Sequence, residues 1–416
     1  MKEELLMLKT IERHLKKKII PFWTKFLDHE YDGFYGSIDT PTLQIKKHAP
    51  KGLVQQARML WSFSAMQNHL KPKNYLPYMT SAYRYLMNSL KDTQNAGFYW
   101  LSDYKGHPLD QRKITYGQGF VIYGLSEYYK ATKNQEALEE ALALYQLIEN
   151  KAKNSETLAY WEEFDSNWNK TECLILGDGV LHTAYTLNTT LHLLEAYMNL
   201  YDASHLEMVR QSVISLMEFF KNNLYDELGK TLHAYLDEFL QPIGNMISFG
   251  HNIEAAWLLD EACEIIDYHD VEIEKMTSSL VEQVYHDGFY CRYVQNHRIN
   301  ESRDASIIWW VQSEAMIGFY NHYQKTQDYK YLHACEKIWE TINSCLVDSR
   351  ENGEWFWSCD ENSQPNYERG EAELWKTPYH NSRAMMELIE RMTLHAHTSE
   401  VFRTSESTQS INQSKK

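Results

Sequence analysis

The chain has 416 residues, 43% of them hydrophobic, which is enough to bury a large core, and a formal net charge of −16. That charge argues against nucleic acid or an anionic membrane surface as partner, since both need concentrated Lys and Arg. No apolar run approaches the length of a membrane span, the N-terminal stretch is charged throughout with no secretory pattern, and the six cysteines form no CxxC pair. The expectation is a cytoplasmic protein with reduced thiols.

Helical periodicity dominates. Twelve segments carry apolar residues at i, i+3, i+4, i+7 spacing, near 4–27, 50–70, 73–92, 115–132, 135–152, 180–202, 205–224, 248–266, 270–285, 306–326, 328–347 and 377–393. After each odd-numbered segment comes a short aromatic stretch: Gly33-Phe-Tyr-Gly36, Gly97-Phe-Tyr-Trp100, Ala159-Tyr-Trp-Glu162, His233-Ala-Tyr-Leu236, Gly288-Phe-Tyr-Cys291 and Glu354-Trp-Phe-Trp357. Their spacing is about 55 to 75 residues, so the repeating unit is helix, aromatic hairpin, helix. Six such units predict an all-α (α/α)6 barrel of twelve helices, with even-numbered helices inside and the longer loops at one mouth. No linker divides residues 1–393, which are expected to form one domain. Residues 394–416 are polar and aperiodic and are expected to be a disordered tail.

Polar residues interrupt the apolar faces of the even-numbered helices. The second carries Arg58, and the fourth opens Thr115-Tyr116-Gly117-Gln118. The sixth carries Asn188 and His192, four apart on one face; the eighth carries His251, Glu254 and Trp257, three apart. The tenth carries Trp309, Trp310 and Glu314, and the twelfth opens with His380 after Trp375-Lys-Thr-Pro-Tyr. Each alone reads as a satisfied core residue. Together they would need many separate buried partners, whereas one shared polar pocket serves them all. His251-Asn-Ile-Glu254 is not a zinc motif, and there is no glycine-rich phosphate loop and no GxSxG elbow, so no metal site is expected. Two histidines on separate walls, an arginine, two glutamates and several tryptophans suit acid–base work on an uncharged polyol.

The motifs Phe22-Trp23, Arg58-Met-Leu-Trp-Ser-Phe63, Tyr123-Gly-Leu-Ser-Glu-Tyr-Tyr129, Leu187-Asn-Thr-Thr-Leu-His192, Gly250-His-Asn-Ile-Glu-Ala-Ala-Trp257, Trp309-Trp-Val-Gln-Ser-Glu314 and Trp375-Lys-Thr-Pro-Tyr-His-Asn381, with the first aromatic stretch, together resemble the N-acylglucosamine 2-epimerase superfamily, in order and over about residues 4–393. The resemblance implies a cofactor-free aldose 2-epimerase or aldose–ketose isomerase acting on a small sugar, as a monomer or homodimer. It implies His251 and His380 as acid/base residues, Arg58 as the enediolate's partner, and His192 with Asn188 in ring opening and orientation. Glu254 and Glu314 would hold sugar hydroxyls or tune the histidines, and Trp257, Trp310, Tyr116 and Trp375 would stack on or wall the sugar. Trp355 and Trp357 are the expected platform for a second ring. Against the family's pattern, Thr377 stands where Cys is frequent, Val311 where Pro is, and Asn252 where Asp is. The leading expectation is a disaccharide epimerase of the cellobiose type. A monosaccharide epimerase or isomerase, an (α/α)6 glycoside hydrolase built on Glu254 and Glu314, and a non-catalytic sugar-binding protein are the alternatives.

Overall fold

A computed structural model describes residues 2–70, 74–177, 179–180 and 182–413, with side chains as far as 396. The predicted ring of helix pairs is present. The outer helices are α1 (Lys2–His14, prolonged by a wide turn at Leu15–Ile19 and a short segment Ile20–Thr24), α3 (Leu76–Tyr85), α5 (Gln135–Lys151), α7 (Glu207–Phe219), α9 (Val271–Gln283) and α11 (Tyr329–Thr341). The inner helices are α2 (Leu53–His69), α4 (Thr115–Thr132), α6 (Leu187–Ser204), α8 (Phe249–Ile265), α10 (Trp309–Thr326) and α12 (Tyr379–Gln413). Each inner helix packs against the next, and α12 packs back onto α2, which closes the ring. The inner helices are buried nearly all round, as their weak amphipathicity requires, and the outer ones on one face. The sixth segment begins at Leu187 rather than 180. The last helix is drawn through Gln413; of the expected tail at 394–416, the side chains beyond 396 lie outside the described residues.

Strands are two or three residues long and fold back on the outer helices' ends. The return residue of each hairpin sits in the core, with Phe34, Phe98, Tyr160, Leu232, Val294 and Trp355 all buried. In two repeats the aromatic stretch is therefore not the return strand. Phe289–Tyr290 is the outgoing arm paired with Tyr293–Val294, and Leu232 precedes His233. Tyrosine and phenylalanine at neighbouring positions disguised this shift of register.

A repeated polar clamp fixes four of the six hairpins on their inner helices. The Gln118 amide accepts from Phe98 N at 2.9 Å and donates to Phe98 O at 2.8 Å. Gln56 does the same for Phe34, Gln312 for Val294, and Asn252 accepts from Leu232 N and donates to Thr231 Oγ1. The preceding Gly33 and Gly97 have φ of +68° and +72°, and a Cβ there would press on Gln56 and Gln118 Oε1. Fully buried lysines brace the same loops: Lys51 Nζ lies 2.8 Å from Asp28, Lys113 Nζ 2.8 Å from Asp92 and Lys376 Nζ 2.6 Å from Glu354. Asn252, a departure from the family's pattern, thus serves a hairpin and not the sugar. Gln118→Ala leaves two buried backbone groups of Phe98 unpaired, at about 1–3 kcal/mol each. Urea unfolding is expected to show a loss of about 2–6 kcal/mol; an unchanged midpoint would contradict the clamp.

Candidate active site

The inner helices point their N-terminal ends at one mouth, and the site lies there in two tiers. The first turn supplies Tyr116 on α4, Asn188 on α6, His251 on α8, Trp309 and Trp310 on α10 and His380 on α12. About one turn deeper lie Arg58, His192, Glu254, Glu314 and Arg383. A cavity of about 250 Å³ is lined by Arg58, Tyr116, Asn188, His192, His251, Glu254, Trp310, Trp375 and His380 among the expected residues. Ile175, Leu176, Trp309, Trp357 and Arg369 complete its wall.

Each histidine has one ring nitrogen committed. His380 Nδ1 lies 2.7 Å from Glu314 Oε1, His192 Nδ1 2.9 Å from Glu195 Oε2 and His251 Nδ1 2.8 Å from Ser248 Oγ. Nε2 is the nitrogen left for a ligand in all three. Burial lowers His251 to about 3. Burial, with the cations Arg58 and Arg383 nearby, holds His380 well below its ordinary range. Both are therefore neutral at pH 7 and able to accept a proton. Trp310 stands beside both, its ring centroid 4.8 Å from that of His251 and 5.6 Å from that of His380. Gly250 permits this approach, since a Cβ there would lie 2.5 Å from the Trp310 ring and 2.8 Å from Val311. Val311 is accordingly a packing residue, and Thr377 is buried beneath Tyr379, whose N–H faces its hydroxyl.

Arg383 organises the deeper tier. Its guanidinium donates to Glu195, to Glu254 Oε1 at 2.6 Å, to Glu314 Oε1 at 2.8 Å and to the Tyr379 hydroxyl. Tyr379 in turn donates to Glu195 Oε1 at 2.6 Å. Burial opposes ionisation of Glu195, but Arg383 and His192 prevail and hold it down at about 2. Glu254 and Glu314 are instead pushed up to about 7, both chiefly by burial, Glu254 also by the Glu314 charge. Glu254, Glu314 and His380 bring three potential metal-ligand atoms within 4.8 Å of one another, but Arg383 already occupies the cation position against both carboxylates.

Arg58 is the opposite case. Its Nη atoms donate to Trp375 O at 2.9 Å and Tyr116 Oη at 2.7 Å, and Nε has no partner. It is buried against the rings of Phe120 and Tyr379 and makes no ion pair among the described residues. A desolvated guanidinium without a counter-ion beside a cavity is poised for an anion.

Two expectations are corrected. Trp257 does not line the cavity; its Nε1 donates to Glu314 Oε2 at 3.1 Å and its face takes the Arg383 guanidinium, so it supports the carboxylate from below. Trp355 is fully buried, its Nε1 bonded to His14 Nε2, and cannot be a sugar platform; Trp357 alone of that pair reaches the cavity, tilted against Trp309 and with the Arg369 guanidinium over its ring. Glu314 is also off the cavity wall, and its contact with His380 fits the second of its two expected roles, tuning a histidine. Glu195 and Arg383 were missed, although each follows a singled-out histidine by three residues on the same helix.

The family model for N-acylglucosamine 2-epimerase matches residues 33–384, and the chain belongs to that family; it is an isomerase, a sugar 2-epimerase. It is 42% identical to the cellobiose 2-epimerase of Dictyoglomus turgidum over 92% of this chain and 98% of that one. The structure of the cellobiose 2-epimerase of Bacillus thermoamylovorans superimposes with a TM-score of 0.90 at 40% identity, covering 92% of this chain and 99% of the other. The D-mannose isomerase of Marinomonas mediterranea is more distant, 23% identical over 92% of this chain and 97% of its own.

The neutrality of His251 has a direct check. Because burial lowers its pKa to about 3, protonation sets in only far below the ordinary 6.5. Nitrogen-15 NMR at pH 5 is expected to show a neutral His251 imidazole; titration near pH 6.5 would contradict this environment.

Proposed function

We propose that this chain inverts C2 of the reducing-end glucose of a β-1,4-disaccharide such as cellobiose, giving 4-O-β-glucosyl-mannose through the open-chain aldose and a cis-enediolate. The observation that carries the reading is the unpaired Arg58 set beside two neutral histidines from different helices. His192, with Nδ1 protonated toward ionised Glu195, offers the Nε2 lone pair for ring opening, and Asn188 orients the sugar. One of His251 and His380 takes the C2 proton. The electron pair forms the C1–C2 double bond and charge collects on O1, opposite Arg58 and the helix N-termini. Such preorganised positive charge is worth several kcal/mol to a developing oxyanion. The second histidine, having taken a proton from solvent at Nε2 once the enediolate charge lies beside it, delivers that proton to the other face of C2, and the first returns its proton to solvent. Return of the proton to C1 instead gives a ketose. The transfer is redox-neutral and is written without a cofactor.

Glu254 Oε2 has no partner and awaits a sugar hydroxyl, with Trp310, Tyr116 and Trp375 as walls. Trp357, backed by Arg369 at 3.6 Å, supports the second ring. The hydrolase alternative requires two carboxylates about 5–10 Å apart across a glycosidic bond. Here Glu254 and Glu314 share one guanidinium nitrogen and Glu314 lies behind His380, which disfavours it. Cys263, Cys291, Cys335, Cys345 and Cys359 are free thiols, in keeping with a cytoplasmic enzyme, as monomer or homodimer.

Incubation with cellobiose is expected to yield glucosyl-mannose; release of free glucose as the main product would overturn the reading. Trp357→Ala is expected to lower kcat/KM for cellobiose about tenfold or more, as for loss of about 1.4 kcal/mol or more of stacking, while sparing turnover of mannose. Equal losses on both sugars would remove Trp357 from the second-ring site.

A further inference from the structure

The stretch from Trp375 to Asn381 leads into α12 and delivers three parts of the site. They are the Trp375 ring, the Trp375 carbonyl that accepts from Arg58 Nη1 at 2.9 Å, and His380. The group that holds this stretch is off the cavity wall. Glu354 is fully buried, and its Oε1 accepts from Asn381 Nδ2 and from Trp23 Nε1 at 3.3 Å. Its Oε2 accepts from Lys376 Nζ at 2.6 Å and from Trp355 N at 2.7 Å. Asn381 directly follows His380, and Lys376 directly follows Trp375. One carboxylate thus holds both ends of the stretch and ties them to Trp23, at the seam where the sixth repeat meets the first.

Four other repeats are arranged the opposite way. There an amide on the inner helix, Gln56, Gln118, Asn252 or Gln312, reaches out to the hairpin. In the sixth repeat the hairpin supplies the side chain, and that side chain fixes the first turn of the inner helix. The third repeat does likewise, Glu162 accepting from Thr186 N at 2.6 Å and from Thr189 Oγ1, but its first turn presents Asn188 rather than a base. Asn381 and Lys376 are themselves fully buried, so no solvent competes for the Glu354 oxygens. Hydrogen bonds to a charged group in such a setting are about twice as strong as neutral ones.

We infer that Glu354 is a positioning residue for the C2 chemistry, a role that rests on the two-histidine reading proposed above. It sets His380 through Asn381, and Arg58 through Lys376 and the Trp375 carbonyl. Arg383 fixes the His380 ring by way of Glu314, whereas Glu354 fixes the turn from which that ring projects. Placement matters because an offset of about 1 Å in a reacting group costs on the order of a hundredfold in rate. The two arms differ in signature. Arg58 faces an enediolate common to both epimers, so an error there slows both alike. His380 meets C2 from one face, so an error there slows proton exchange on the one epimer whose C2 proton faces it.

The test is C2 proton exchange in D2O, followed by NMR separately on cellobiose and on glucosyl-mannose, and expressed as the ratio of the two initial rates. Loss of folded enzyme lowers both rates equally and leaves the ratio unchanged. Glu354→Gln is expected to slow both epimers and to shift the ratio about tenfold or more. The shift should run in the direction produced by His380→Asn and opposite to that of His251→Asn. Asn381→Ala, which keeps the ion pair of Glu354 with Lys376, is the second variant should Glu354→Gln not fold, with a shift in the same direction expected. An unchanged ratio in the folded variants, or a shift in the direction of His251→Asn, would overturn the role of Glu354 and leave the sugar reading standing. Absence of C2 exchange with the native chain would overturn both.

Discussion

The interaction on which the active end depends is the clasp of Arg383 on Glu195, Glu254 and Glu314. Three carboxylates from α6, α8 and α10 meet one guanidinium from α12 at the barrel axis. Buried charge of this kind is costly unless every group is paired, and removing one partner strands the others. The clasp is therefore weak evidence of added stability and strong evidence of a specified geometry. It sets the position of Glu314, hence the ring of His380, and that of Glu195, hence the ring of His192. Burial raises Glu254 and Glu314 to about 7, which limits the negative charge that the tier below the histidines offers an imidazolium.

The ring architecture adds a field. Six inner helices direct their N-termini at the sugar cavity, each the equivalent of about half a positive charge. That field and the uncompensated Arg58 favour an anionic intermediate and disfavour protonated histidine in the resting site. A catalytic pair must begin with at least one neutral base, and burial provides it here. Five of these helices end at the opposite mouth, so a single packing arrangement polarises the barrel from one mouth to the other.

The architecture was legible because a strongly periodic repeat allows few ways to close, and the polar positions on even-numbered helices were legible because an apolar face tolerates few unexplained interruptions. What lay beyond the sequence was depth. Trp257 shares a helical face with Glu254 but falls one turn lower, where it supports Glu314 rather than facing a sugar. Trp355 and Trp357 are two apart, a spacing that puts both on one side of a regular strand, but here a single bridge residue is followed by a bend, so Trp355 turns into the core while Trp357 reaches the cavity. Glu195 and Arg383 looked like ordinary polar residues flanking a histidine; their role rests on contacts 188 positions apart in the chain. Asn252, Thr377 and Val311, which depart from the family's pattern, serve packing and hairpin geometry.

Solvent isotope exchange tests the two-base account most directly. Cellobiose and glucosyl-mannose are each incubated in D2O with the native chain, His251→Asn and His380→Asn, and C2 is followed by NMR. The account predicts deuterium at C2 of the epimerised product with the native chain, and no epimerisation with either variant. Each variant should retain C2 exchange at most on the one epimer whose proton faces the remaining histidine. Epimerisation by the native chain without deuterium at C2, or a variant that still epimerises at the native rate, would contradict it.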